Sequence, residues 1–575
     1  MENKRIADLL DEIAKMLSLE DKPNIRFEIR AYQKAALTIG TLQEPVEDMY
    51  RKGGTEALME LPGVGKSIAG LIEEYIKTGK SSKYDTLKKK YPIDMASLTS
   101  IQGLGAKKAL TLYKKLKVKD IATLKKAIEL HRIAKLEGFG EKSEETIRKG
   151  LELAESSSGR MLISEALPIA EELIAKLKAG GNVEKVLLSG SARRMRETVG
   201  DLDILVISKK AEQVMDFFTA LDAVESVIAK GPTKSSVRLK AGLNCDLRVL
   251  EPQSFGAAVQ YFTGSKDHNI QVRTIAVRKG YKLNEYGLFG KSGKNVGGSE
   301  EESVYEALGM QWMPPEMREA RGEVELALAH KIPVLVEQKD IRGDLHTHTK
   351  WTDGANTLEE MAAAAIRLGY QYIANTDHTK NVTIANGKTD AEFERMIPKI
   401  DKLNDSFNGK FRILKGVECD ILKDGTLDLK ESTLNDMDCV IGAVHMNTKM
   451  EKSEMTDRIV KALDSGLIHI LAHPTGRIVG KREAYQVDLD EVAEAAERNN
   501  VALEINSTER MDLNDTNIML AAKYKVMFSI DTDAHSTNDY VLMRYGVGTA
   551  RRGWLTKDKI INSKPLDSLL KTFKK

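Results

Sequence analysis

Two groups of residues in this sequence have the types and spacing to do chemistry on phosphorus. In Val199-Gly200-Asp201-Leu202-Asp203 two aspartates stand two apart, so on a strand they point to one face. Side-by-side carboxylates repel unless a cation lies between them, as in a magnesium site. A third acid, Asp246, lies in Asn244-Cys245-Asp246-Leu247-Arg248-Val249, a stretch that could form the neighbouring strand. Three aspartates on adjacent strands can hold two magnesium ions for in-line displacement at phosphorus. One ion would lower the pKa of an attacking hydroxyl, the other would neutralise a leaving pyrophosphate. A solvent-facing acid at a strand end would explain one such Asp. It does not explain the turn Gly190-Ser191-Ala192-Arg193-Arg194 just upstream.

The second group is built on histidine. Six of the ten histidines fall in order within residues 346–535: His346 and His348 in Asp344-Leu345-His346-Thr347-His348, then His378, His445, His473 and His535. Asp353, Glu418 and Asp533 complete a set of nine candidate metal ligands. His346 and His348 on one strand share a face and can reach one metal. The others follow predicted strands, so they would gather at the C-terminal mouth of a barrel. His268 and His469 stand outside these patterns, and structural roles suffice for them.

These residues need elements to position them. A chain of 575 residues exceeds one core and implies several domains. No apolar run is long enough to span a bilayer, and the N-terminus lacks the apolar run of a signal peptide. Three scattered cysteines without a CxxC argue against a disulfide framework or thiolate zinc site and fit a reducing cytoplasm. The net charge of +2 is unevenly spread: residues 51–150 hold 22 Lys and Arg against 12 Asp and Glu, whereas residues 336–575 hold 34 against 38. The front half is therefore the part expected to meet a polyanion.

Residues 1–160 read as short helices joined by glycine turns, with a break at Ser156-Ser157-Ser158-Gly159. Strands are expected near 185–189, 202–208 and 244–250. Pro314-Pro315, a charged helix and Ile332-Pro333 suggest a tether. Beyond it, strands expected near 372–375, 440–444, 468–472, 502–505 and 527–530 alternate with helices, which argues for a parallel α/β barrel.

One theme recurs three times in the basic segment: Leu61-Pro62-Gly63-Val64-Gly65, Ile101-Gln102-Gly103-Leu104-Gly105 and Leu136-Glu137-Gly138-Phe139-Gly140. The glycines permit a tight turn and close backbone approach, and the following helix offers unpaired N–H groups to a phosphate oxygen. Lys66, Lys107 or Lys142 would assist. The theme resembles the helix–hairpin–helix motif, which holds DNA backbones without reading sequence.

With Gln260-Tyr261-Phe262-Thr263-Gly264-Ser265, Asn269, Arg273 and Lys282-Leu283-Asn284-Glu285-Tyr286 added, residues 1–315 resemble the family X DNA polymerases, the DNA polymerase beta family. The resemblance implies that Asp201, Asp203 and Asp246 are catalytic ligands for Mg²⁺ or Mn²⁺. Gly190, Ser191 and Arg194 would hold the triphosphate, and Tyr261, Phe262 and Gly264 would pack on the sugar. Asn269 would contact the incoming base and Arg273 the template. One position departs: where lyase-active members place a Schiff-base lysine, this sequence has Leu71. Lyase activity by that route should be weak or absent.

The C-terminal half resembles the PHP (polymerase and histidinol phosphatase) domain, a distorted β/α barrel with a trinuclear site. Its motifs map onto His346, His348, Asp353, His378, Glu418, His445, His473, Asp533 and His535, with Thr352 where serine is common. The intact set implies a phosphoesterase using up to three Zn²⁺ or Mn²⁺ ions to direct hydroxide at phosphorus. The expected substrates are DNA 3′ ends (3′–5′ exonuclease or 3′-phosphatase) or abasic sites.

The expected architecture is multidomain. A helical helix–hairpin–helix region (1–85 and a fingers-like 86–159) precedes an α/β nucleotidyltransferase palm (160–252) and a thumb (253–318). A linker (319–338) leads to the PHP barrel (339–575). The reading is a monomeric gap-filling polymerase for base excision repair, with gapped or nicked DNA and dNTPs as partners and 3′-end processing in cis. A small-molecule nucleotidyltransferase would need neither the hairpins nor the Tyr-Phe-x-Gly-Ser segment. A metal-stabilised barrel that binds without catalysis is the other alternative.

Overall fold

The computed structural model describes residues 2–573 apart from 21–24, 41, 43, 44, 100, 102, 157, 158 and 181. The expected serine break therefore falls partly outside the described residues. Up to Ser156 the described chain is helical, with one apolar cluster running from Ile6 to Leu151. Packing continues across the expected division at 85, where the Tyr91 hydroxyl donates to Glu20 at 3.1 Å.

The three hairpins share one backbone device. In each, an amide donates back three residues to close a tight turn: Val64 to Leu61, Leu104 to Ile101 and Phe139 to Leu136, all at 3.0 Å. The central glycines Gly63, Gly103 and Gly138 take φ of 84–85°, the left-handed value such a turn requires. The closing apolar residues are buried and anchor each turn to the helical core.

The palm sheet runs Lys185–Leu188, Asp201–Ile207, Asn244–Leu250, Lys234–Leu239, Val224–Lys230 in spatial order. The two aspartate-bearing strands pair in parallel, with Asp203 opposite Asp246. The last two strands were not anticipated: Val224–Lys230 is a largely exposed edge, so it lacks the apolar alternation that marks a half-buried strand. The thumb follows, with its own cluster around Val272, Tyr305 and Met310.

Residues 319–338 are not a free tether. Helix Glu323–Leu328 buries Val324 and Ala327 in the thumb cluster, and Glu319 is itself largely enclosed. The proline pairs that suggested a tether instead flank a packed segment, because apolar residues between them still find a core.

From Gly343 the chain forms seven parallel strands in sequential order, from Gly343–Thr347 to Phe528–Asp531. The expected strands are present within one or two residues. The long strand Arg412–Asp420 was not anticipated, since Lys415 and Gly416 interrupt its apolar pattern. The barrel nearly closes on itself: His348 N donates to Ala534 O at 2.8 Å beyond the last strand, and Leu345 N donates to the Asp531 carboxylate at 2.9 Å. At its base the buried Asn562 amide donates to Gly343 O at 2.9 Å and Ile530 O at 2.6 Å, and accepts from Ile530 N at 3.1 Å. No helix among the described residues is long and apolar enough to cross a membrane.

Asn562 thus ties the first strand to the last with three buried hydrogen bonds. Asn562→Ala leaves those backbone groups unsatisfied and should destabilise the barrel by about 2–4 kcal/mol. A lowered denaturant midpoint for the barrel transition, with the helical region's transition unmoved, is the expected reading.

Candidate active sites

The palm presents a cleft of about 570 Å³ lined by Gly190, Ser191, Arg194, Asp201, Asp203, Tyr261, Phe262, Gly264, Asn269 and Arg273, with Arg160, Arg196 and Lys266 completing it. Every expected nucleotide-site residue is there. Gly190 takes φ 67°, and a Cβ on it would meet the Asp203 carboxylate at 2.7 Å, so backbone must approach that acid closely. The two arginines of the turn diverge. Arg193 forks onto Glu301 of the thumb at 2.9 and 2.8 Å, while Arg194 lines the cleft. Arg160 and Lys266 escaped sequence reasoning because only the fold brings their segments to one wall with Arg194; Arg196, two residues past Arg194, lies outside the Gly-Ser-x-Arg-Arg pattern.

Electrostatics point to a cation here. Burial, then the charges of Asp201 and Asp246, raise Asp203 to about 6. Asp246 stands just beyond the cleft wall, its carboxylate accepting from Ser236 Oγ at 2.6 Å and paired with Lys234 Nζ at 2.9 Å. Burial opposes, but these partners hold it below the ordinary carboxylate value. The Asn269 amide lines the cleft while already bonded, accepting from Gln260 at 2.8 Å and donating to Tyr261 O at 2.7 Å. Tyr261 and Phe262 meet edge to face with centroids 5.1 Å apart.

The hairpins are not equal. Gly65 and Gly105 start their helices in extended conformation without any side-chain cap, so the first N–H groups of Lys66–Thr78 and Ala106–Leu116 stay open beside exposed Lys66 and Lys107. The third differs: Gly140 is left-handed, acids Glu141 and Glu144 occupy the first turn, and Lys142 pairs with Glu451 at 3.0 Å. Leu71 is buried in the first helix, as an apolar core position should be.

At the barrel's C-terminal mouth all nine expected ligands converge. His348, Asp353, His378 and His535 form one group, His346, His348 and Glu418 a second, and His378, Glu418 and His445 a third, with ligand atoms within 4.8 Å in each. His473 Nε2 lies 3.0 Å from Glu418, and Asp533 3.2 Å from His348 Nε2. His348 sits one residue past its strand, not on it, yet still faces the same centre as His346. His473 and Asp533 adopt left-handed backbone, φ 29° and 49°, which non-glycine residues tolerate only where the surroundings enforce it.

The three groups draw on seven of the nine residues and join one another through Glu418, His348 and His378. Burial would raise Glu418, but His445, His378 and His346 hold it well below the usual carboxylate value. Burial with His535 and His378 lowers His348 to about 4, whereas His535, despite burial, is raised to about 9 by Asp353 and Asp533. Fully enclosed, His346 Nε2, His348 Nε2, Asp353 Oδ1 and Glu418 Oε2 are satisfied by no hydrogen bond. Buried polar atoms left unpaired in this number fit metal ions.

Against known families, residues 1–81 match a helix-hairpin-helix domain, 95–153 a SAM-like helix-hairpin-helix tandem, 258–319 the DNA polymerase beta thumb and 344–508 the PHP domain. Along almost its whole length the chain is similar to the DNA polymerase/3'-5' exonuclease PolX of Bacillus subtilis (strain 168), 39% identical over 571 residues covering 98% of each. The chain belongs to the family X DNA polymerases that carry a PHP domain.

This family X polymerase is an enzyme with a nucleotidyltransferase half and a phosphoesterase half. It is also 30% identical over 230 residues to a probable phosphatase of Syntrophotalea carbinolica, covering 38% of this chain and 90% of that one. It is 26% identical over 322 residues to DNA polymerase lambda of Arabidopsis thaliana, covering 50% and 57%.

Around the polymerase's metal-fit cluster stand positioning groups the sequence reading missed. Glu504 accepts from His346 Nδ1 at 2.6 Å and from His473 N at 2.7 Å. Asp420 accepts from His445 N at 3.1 Å and faces His445 Nδ1 at 3.2 Å. The acids Glu504 and Asp420, flanked by apolar residues in Ala502–Asn506 and Arg412–Asp420, were the available signal. As expected, His268 and His469 are structural: the first bridges Glu323 and Tyr305 at 2.8 and 3.0 Å, the second accepts from Val440 N at 2.9 Å.

The raised Asp203 carries a stability signature. Its folded value near 6 lies above the ordinary 3.8, so ionising it costs stability as pH rises through that interval. Asp203→Asn should therefore stabilise metal-free protein above pH 6 by on the order of 1–2 kcal/mol, with the gain vanishing below pH ~4. Thermal melts in chelator across that range check it; a gain independent of pH would contradict the electrostatic origin.

Proposed function

We propose that this enzyme fills short gaps in DNA during base excision repair and trims primer 3′ ends with its PHP barrel. The observation that carries the polymerase assignment is the single cleft in which acids and cations face each other across the Tyr261–Phe262 pair. Asp201, Asp203 and Asp246 would hold magnesium or manganese. Bound there, the two ions supply an acidified primer hydroxyl and neutralise pyrophosphate. Arg194, with the open N–H groups at Gly190–Ser191, grips the triphosphate so that its α-phosphorus lies in line with the primer end. Tyr261 and Phe262 bound the sugar's space, and Gly264 lets the backbone come close. Arg273, on the same wall, supports the template strand. The first two hairpins hold the duplex flanking the gap through Gly63, Gly65 and Lys66, and through Gly103, Gly105 and Lys107. The third, with acids at its helix start, contributes least.

In the barrel the nine ligands would hold zinc or manganese, whose charge makes water a nucleophile at neutral pH and stabilises the developing phosphate charge. Glu504 and Asp420 fix the ring orientations of His346 and His445. Trimming of the 3′ end is the reading we adopt over a purely structural barrel, since these enclosed ligand atoms lack hydrogen-bond partners and form three groups fit for metal ions where one closed structural ion would need only one. The name of the Bacillus relative supports the same reading. Three buried free cysteines suit a cytoplasmic enzyme, and we assign it as a monomer.

The test is a 5′-labelled primer on one-nucleotide-gapped DNA with Mg²⁺ or Mn²⁺. Extension is expected with dNTPs and shortening without them. Asp203→Ala should lower extension at least about 10³-fold and spare shortening; His346→Ala should do the reverse. Absence of extension under either metal refutes the assignment. Leu71 leaves no amine at the buried helix position, so borohydride trapping on an incised abasic substrate should capture little protein. Robust trapping by the unaltered chain would show another lysine at work.

A further inference from the structure

Beside the polymerase cleft lies a buried charge network that joins it to the barrel. The barrel's helix Met543–Arg552 is seated on strands Ala502–Asn506 and Phe528–Asp531, burying Met543, Val547 and Ala550 in the barrel core. A Cβ at Gly546 would fall 2.1 Å from Ser507 Oγ, so the helix has no room to shift on that side. On the other side, a Cβ at Gly548 would meet Met195 at 2.7 Å, so the helix presses directly on the residue after Arg194. The last turn of this helix then reaches into the polymerase half. Arg551 pairs with Glu316 at 2.8 Å. Arg552, almost fully buried, donates to the Arg194 carbonyl at 2.8 Å and to Glu319 Oε1 at 2.9 Å. Its remaining edge is anchored on Asp515 of the barrel.

Glu319 is the hinge of the arrangement. The oxygen that accepts from Arg552 also accepts from Arg194 Nε at 3.1 Å. Arg194 Nη1 is held by Thr263 O, which leaves its far edge toward the cleft. Arg194 is thus restrained at its main-chain carbonyl, its Nε and one Nη; Arg552 makes the first restraint itself and holds Glu319, which makes the second. Held this way, Arg194 loses little rotamer freedom when an anion arrives.

We propose that Arg552 of the PHP barrel is a positioning residue of the polymerase's nucleotide site: it fixes Arg194 for the triphosphate through Glu319 and the Arg194 carbonyl. The barrel is therefore part of the polymerase's nucleotide-binding apparatus as well as a separate hydrolytic unit. This rests on the assignment of Arg194 to the triphosphate.

The experiment is steady-state single-nucleotide insertion by the full chain on gapped DNA, varying dNTP. Arg552→Ala should raise KM for dNTP about tenfold, with kcat within about threefold. Affinity for the gapped DNA and 3′-end shortening without dNTPs should be unchanged, and Arg552→Lys should recover part of the loss. The double variant Arg194→Ala/Arg552→Ala should be no weaker than Arg194→Ala alone. An unchanged KM in folded Arg552→Ala overturns the proposal, as does a parallel fall of kcat, DNA affinity and shortening. If Arg552→Ala does not fold, Asp515→Asn, which loosens the same guanidinium without removing volume, is read instead. A KM rise there supports the proposal and an unchanged KM overturns it. Arg194→Ala separates the two levels: if it leaves KM unaltered, the nucleotide-site assignment has failed; if it raises KM while Arg552 variants do not, only the positioning role has.

Discussion

Both candidate sites of this protein bury ionisable groups close together, and the rest of the structure has to bear that cost. At the palm, Asp203 is enclosed beside Asp201 and Asp246 and raised to about 6. At the barrel mouth, imidazoles and carboxylates crowd together with several buried atoms unsatisfied. Enclosing such groups is unfavourable, since desolvation acts against the ionised forms; at the palm repulsion adds to it, while at the barrel mouth imidazole and carboxylate charges offset part of it. They persist because rigid strands on either side prevent them from turning away. In the palm the parallel pairing of Asp201–Ile207 with Asn244–Leu250 sets the register. In the barrel the ring of strands fixes the separations, and left-handed backbone at His473 and Asp533 is tolerated because hydrogen bonds on both sides hold the chain there.

The surrounding polar groups divide into those that hold and those that react. Glu504, Asp420, Glu301 and Glu319 each satisfy a cation or an imidazole nitrogen that would otherwise compete for the reactive atoms. Arg193 and Arg194, adjacent in sequence, show the division at its sharpest: one is spent on the thumb ion pair, and the other keeps an edge toward the cleft. Such buried pairs are weak evidence for stability, because desolvation offsets much of their attraction. Their effect is directional, fixing where a charged side chain points.

The contacts between halves are of this same directional kind. Met511 and Tyr545 of the barrel enter the palm's apolar cluster, and Arg477 of the barrel pairs with Glu197 of the palm. The palm is thus packed against the barrel, with the segment 319–338 enclosed beside them.

Much of the chemistry was legible in the sequence because it resides in short, local patterns. Asp201 and Asp203 are two apart, the hairpins repeat a five-residue turn, and the histidines stand on or just past short apolar strands; a local pattern marks each of these. The strands Arg412–Asp420 and Val224–Lys230 were hidden because neither shows the alternation of a half-buried strand. Only tertiary structure could decide that Arg160 and Lys266 share a wall with Arg194, that Glu504 and Asp420 orient histidines from other strands, and that 319–338 is packed rather than free. Those outcomes depend on contacts between residues tens to hundreds of positions apart, and no spacing along the chain encodes them. Arg552 is the extreme case: it is 358 residues from the carbonyl it holds.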